Sequence, residues 1–86
     1  MRRVLHIGPC ESRGGMSSVI RSMVKNPPNG WEAEQLNSHG NGIIDRATKL
    51  LSEEDREDFN YYIRNNTSFN KGKMFICKSK VLIKKY

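Results

Sequence analysis

With 86 residues, of which 36% are hydrophobic and 8% aromatic, the chain can bury one small core and no more. A net charge of +6 at neutral pH directs it toward an anionic partner such as a nucleotide, a nucleic acid, an acidic glycan or a lipid headgroup. No apolar run is long enough to span a bilayer or to serve as a signal-peptide core, which predicts a cytoplasmic chain.

The chain opens on Val4-Leu5-His6-Ile7, closed by Gly8-Pro9. A short apolar run with that boundary predicts a strand buried on both faces of a parallel sheet. The loop Gly8 to Gly15 follows, with Arg13 and the pair Gly14-Gly15 at its end. Met16, Val19, Ile20, Met23 and Val24 then repeat at the spacing of one helical face. Either Ser17 or Ser18 caps this helix or the glycine pair opens it. Strand, glycine loop and helix in that order aim the N–H groups of a helix start beyond the strand's end, an arrangement suited to an anion. Neither a Walker A lysine nor Gly-x-Gly-x-x-Gly is present.

Asn26-Pro27-Pro28-Asn29-Gly30 stops the helix, and Trp31 to Leu36 reads as a second strand. Composition shifts near Gly42. Ile43, Ile44, Ala47, Leu50 and Leu51 form a short helical stripe. Ser52-Glu53-Glu54-Asp55 starts another helix, whose apolar face includes Phe59, Tyr62 and Ile63 and which breaks at Asn65-Asn66-Thr67-Ser68. Lys71-Gly72-Lys73 reads as a turn and Met74-Phe75-Ile76-Cys77 as a short strand. Ser79 is placed to cap a last, incomplete helix holding Val81, Leu82, Ile83 and Tyr86.

Other candidate residues read as structural. Cys10 and Cys77 have no metal spacing and read as free thiols. His6 sits inside a strand, as a hydrogen-bonded histidine would. His39, in a polar loop, has no carboxylate at a spacing that would orient it as a base. The run Glu53, Glu54, Asp55, Glu57 and Asp58 reads as solvated acids favoured by a helix N-terminus, and no metal site is expected. Six lysines and no acid fall between Lys71 and Tyr86. They read as a solvated face, with peripheral attachment to an anionic membrane as the sharper alternative. Without an aromatic platform pattern, the tail argues against nucleic acid.

Residues 1–42 resemble the N-terminus of family 4 glycosyltransferases of the GT-B type. The likeness rests on Val4-Leu5-His6-Ile7-Gly8, on Gly14-Gly15-Met16 before Ser17-Ser18-Val19-Ile20-Arg21, and on Trp31-Glu32-Ala33-Glu34 where the second strand resumes. The resemblance implies a Rossmann-like βα unit and a donor diphosphate and acceptor loop formed by Arg13, Gly14, Gly15 and Met16. Its substrate would be a nucleotide-sugar, with a glycan or lipid-linked acceptor and no cofactor. Residues 58–86 resemble a domain of unknown function found in capsular-polysaccharide and lipopolysaccharide glycosyltransferases. This second likeness rests on Phe59-Asn60-Tyr61-Tyr62-Ile63 and Lys73-Met74-Phe75-Ile76-Cys77-Lys78, with Lys73 where that motif has Asn and a helix expected after it.

The resulting expectation is an α/β chain in two parts. Residues 1–42 form a partial Rossmann-like (GT-B N-terminal) unit, and 43–86 form a mostly helical, truncated segment with one short strand. Whether the two share a core is left open. The function expected is that of a fragment or fusion of bacterial polysaccharide glycosyltransferases, inactive in isolation because the second Rossmann domain is missing. The alternatives are a small basic module that binds membrane or nucleic acid without chemistry, and a non-functional truncated product.

Overall fold

The computed structural model describes residues 2–9, 14–38, 42–65 and 72–86. They form a mixed α/β domain with four strands and three helices. In chain order these are β1 (Arg2–Gly8), α1 (Gly15–Lys25), β2 (Trp31–Asn37), α2 (Ile43–Thr48), α3 (Glu53–Asn65), β3 (Met74–Ile76) and β4 (Val81–Lys85). The sheet order is β2-β1-β4-β3. β1 runs parallel to both β2 and β4, and β3 is antiparallel to β4. Strands from both sequence halves thus build one sheet.

β1 is central because it is apolar on both sides: Val4, Leu5, His6 and Ile7 are all buried. Side chains alternate across a strand, so the pairing register sorts the sheet into two faces. The first face presents Leu5 and Ile7, with Leu36 beside Ile7 on β2 and Ile83 beside Leu5 on β4. Ala47, Leu51, Phe59 and Cys77 close over it from α2, α3 and the turn after β3. The second face presents Val4, His6 and Gly8, with Ala33 beside Val4 on β2 and Leu82 and Lys84 on β4. α1 packs there, over β1 and β2. A Cβ on Gly8 would lie 2.7 Å from Ile20 Cδ1 and 3.0 Å from Tyr86 Cβ, so glycine is what lets α1 and the chain end meet on this strand.

α1 starts on the glycine pair, with Gly14 at its N-cap, and Ser17 lies inside it, fully buried. Trp31 N–H to Pro28 C=O closes the turn into β2, with Gly30 at φ +83° where a side chain would be strained. α2 stops at Thr48, short of Leu50 and Leu51. Leu51 is still buried and Leu50 is exposed. Ser52 caps α3 by accepting the N–H of Asp55 at 3.3 Å.

One sequence expectation is overturned. Ser79 caps no terminal helix: Val81–Lys85 is strand β4, so the second half of the chain supplies two strands, not one. Two turns of helix cannot stand without packing. As a strand, Val81 and Ile83 bury inward and the backbone pairs along β1 from Arg3 to Ile7.

The β3–β4 hairpin turns through Cys77–Lys80. Cys77 N–H donates to Val81 C=O, and Lys80 N–H donates to Cys77 C=O. Lys80 sits at φ +69°, the left-handed position that such hairpins usually give to glycine. Lys80→Gly is therefore expected to stabilise the domain by about 0.5–1 kcal/mol, the left-handed strain outweighing glycine's extra chain entropy. Urea unfolding should show a raised midpoint at unchanged slope.

Candidate functional site

The carboxyl ends of β1, β2 and β4 lie at one end of the sheet because the three strands are parallel. The connection from β1 crosses the second face through α1. The connection from β2 to β4 crosses the first face through α2 and α3. At that end of the sheet the connections leaving β1 and β2 therefore lead to opposite faces.

α1 opens at that end. Ile20 packs on Gly8, the last residue of β1, so Gly15 stands five residues further along the helix, about 8 Å past the strand at 1.5 Å per residue. Gly14 has extended backbone at φ −72° and ψ 163°, makes no side-chain cap and accepts Ser18 N–H at 3.2 Å. There is no acid in the first turn. First-turn N–H groups of a helix lack intrahelical acceptors and carry partial positive charge. Gly14, Gly15 and Met16 are all exposed, and a Cβ on Gly15 would meet nothing within 4 Å. No packing demand accounts for glycine at position 15. Arg13, the fourth residue expected here, lies outside the described residues, as do Cys10 and His39.

Lys85 ends β4 at the same end of the sheet. Arg46, on α2, donates from Nη1 to the carbonyl of Asn37 at 3.2 Å, which places a guanidinium at the end of β2. The sequence carried no sign of this placement, since Arg46 sits in a helix far from the glycine loop.

His6 is buried on the second face, with Nδ1 2.7 Å from the Tyr86 hydroxyl. That hydroxyl lies 3.2 Å from Met23 Sδ on α1, and Lys84 Nζ lies 4.6 Å from the centre of the tyrosine ring. Burial, and then the Lys84 charge, hold the His6 pKa below its usual 6.5. Burial raises that of Tyr86. An unfolded chain therefore takes up a proton at His6 before the folded one does. The stability linked to His6 is complete above about pH 6.5 and is lost as pH falls through the window below it. Thermal melts at about pH 7.5 and about pH 5.5 should show a falling midpoint, and His6→Gln should shrink that difference.

The acidic run does not behave as one solvated face. Asp55 is buried and accepts the Ser79 hydroxyl proton, and Asp58 Oδ2 accepts Lys78 N–H at 2.9 Å. Both carboxylates thus hold the β3–β4 turn. Burial, followed by these two charges, pushes the Cys77 thiol up to about 12. A concavity of about 920 Å³ is lined by Glu54, Tyr61 and Arg64 on α3, apart from the carboxyl ends of the strands.

Among the described residues no group of three His, Cys, Asp or Glu side chains is placed to hold a metal ion, and no helix is long and apolar enough to cross a membrane. Comparison with protein-family models, curated proteins and solved structures returns no match.

Proposed function

We propose that the chain is a fragment or fusion of glycosyltransferases of bacterial polysaccharide synthesis that carries the N-terminal Rossmann-like unit, in which the start of α1 approaches the diphosphate of a nucleotide-sugar. The observation that carries this reading is the acid-free opening of α1 at Gly14-Gly15, without a side-chain cap and past the carboxyl end of β1. A diphosphate needs N–H donors, close backbone approach and positive charge. Gly15 offers open space, the helix start supplies N–H donors with partial positive charge, and Lys85 and Arg46 add charge at the same end of the sheet from its first face. The acceptor in this reading is a glycan or a lipid-linked sugar.

The chemistry such a site supplies is charge stabilisation. As the sugar–phosphate bond breaks, negative charge grows on the leaving diphosphate, and oriented N–H groups lower the energy of that developing charge. The role assigned to Gly14, Gly15 and Met16 is binding and orientation.

The test is titration of the ¹⁵N-labelled chain with uridine diphosphate and UDP-glucose, followed by amide NMR. Saturable shifts centred on Gly14, Gly15 and Met16 are expected, and Gly15→Ala should weaken binding at least fivefold. Because a Cβ there meets only open space, that variant should melt no lower than the parent. Shifts that map elsewhere, or none, would count against the assignment.

A further inference from the structure

Between the last turn of α1 and the second face of the sheet lies a cavity of about 370 Å³. On this face α1 lies over β1 and β2, and no described element covers β4 and β3. Ile20 packs on Gly8 at the carboxyl end of β1. Met23, further along α1, is 39% exposed, and the helix ends at Lys25, ahead of Pro27 and Pro28. The space under that last turn stays open.

Val4 and Leu82 floor the cavity from β1 and β4, and Met23 and Trp31 wall it. Its volume falls at the lower end of the range of about 300–1,000 Å³ usual for small-molecule sites. No charged side chain lines it: Lys84, on the same face of the sheet, lies over the Tyr86 ring. The polar residues of the lining are Asn26 and His6. Asn26 is exposed, and its amide donates to the carbonyl of Ser22 at 3.3 Å, closing the end of the helix. His6 is 6% exposed and supplies the polar group in the depth of the cavity.

The Tyr86 hydroxyl at Nδ1 fixes the His6 ring. Nε2 has no partner among the described residues and is not sealed from solvent. A neutral imidazole carries one donor and one acceptor, so whichever way the Tyr86 bond runs, Nε2 keeps one of them unfilled. Polar atoms inside proteins are ordinarily met by a partner. Water suits this position poorly, because an ordered internal water needs about two to four polar partners and the depth of the cavity offers one. An ion suits it no better, since no charged side chain of the lining offsets its lost hydration. The walls fit hydrocarbon, and Nε2 fits a group that gives or accepts a single hydrogen bond. A hydroxyl does either.

We infer that this cavity binds a small, uncharged, mostly apolar molecule bearing one hydroxyl, such as an alkylphenol, whose oxygen meets His6 Nε2 while its hydrocarbon body covers Val4, Leu82 and Trp31. Val4, Trp31 and Leu82 lie toward the amino ends of their strands, away from Gly14-Gly15, so the site stands independently of the diphosphate reading.

The test titrates the full chain with para-propylphenol, with para-propyltoluene (the same shape with methyl for hydroxyl) and with para-propylbenzoate. Amide NMR should show saturable shifts at Val4, His6, Trp31 and Leu82 with the phenol, bound at least threefold more tightly than either of the others. The ¹⁵N resonance of His6 Nε2 should move with the phenol and stay in place with para-propyltoluene. Leu82→Phe, which fills the cavity from its floor, should weaken phenol binding at least tenfold without lowering the melting temperature. His6→Phe should erase the preference for phenol over toluene. The Nε2 resonance is read on the parent chain, so it decides the matter even where His6→Phe fails to fold. Equal binding of phenol and toluene with Nε2 unmoved, tighter binding of the benzoate, shifts that map elsewhere, or no binding would overturn the inference. So would self-association of the chain that the phenol displaces, which would assign the cavity to a side chain of a second copy.

Discussion

Phe59→Ala is expected to leave the chain barely stable at room temperature. Phe59 is 0% exposed and sits where α3 meets the sheet. Its ring centre lies 5.9 Å from that of Phe75, which stacks in turn on Tyr62 at 4.4 Å. Truncation removes the largest wholly buried side chain and opens a cavity that Leu5, Ile7 and Ile83 cannot fill without leaving their strands. The cost is about 3–5 kcal/mol, against a stability near the low end of about 5–15 kcal/mol for a domain of this size. Far-ultraviolet circular dichroism against urea should show no pretransition baseline for Phe59→Ala. Phe59→Leu, which keeps most of the volume, should still unfold cooperatively. A Phe59→Ala chain that melts within a few degrees of the parent would mean that this core does not hold the fold.

Asp55→Ala should cost about 2–3 kcal/mol, the largest effect expected of any polar substitution outside the site. Its carboxylate is the acceptor for Ser79 Oγ, its backbone N–H is held by Ser52, and it lies in the acid-favoured first turn of α3. Truncation removes a charge-assisted hydrogen bond and a favourable dipole contact together. It also releases Ser79 from α3, while the Asp58 to Lys78 bond still ties the helix to this turn. Asp55→Asn keeps the shape and one acceptor and should cost about half as much. A second readout separates this role from generic damage. In a Cys10→Ser background Cys77 is the single thiol, and its pKa of about 12 is raised first by burial and then by Asp55 and Asp58. Removing Asp55 should lower that pKa and speed alkylation at alkaline pH even where the domain stays folded. If the Asp55→Ala thiol titrates as the parent does, the carboxylate is not coupled to the turn in the way described.

The first βα unit was legible because its signals are local. Val4 to Ile7 is too apolar for an edge, Met16 to Val24 keeps helical period, and Pro27 to Gly30 offers no way to continue a helix. Ser52 three residues before Asp55 marked the start of α3 for the same reason. The glycine loop was legible as a place where a helix opens, since Gly14 and Gly15 have no other local use. Arg46 and Lys85, which share that end of the sheet, were not, because strand pairing brings them there from distant positions.

The tail was misread because its run of three apolar residues, Val81 to Ile83, carries no period long enough to separate strand from helix. Neighbours decided it: β1 offered a free parallel edge from Arg3 to Ile7, and burying Val81 and Ile83 against α3 outweighed any preference of the segment itself. Asp55 was one acid among several in sequence, and only the return of the Cys77–Lys80 turn onto α3 made it a buried anchor. Element type over short range is a property of consecutive residues, because backbone dihedrals and side-chain period act between near neighbours. Which strand pairs with which, which face stays bare and which carboxylate is buried depend on contacts between residues tens of positions apart, such as His6 with Tyr86 and Asp55 with Ser79. Those contacts form only when the whole sheet closes.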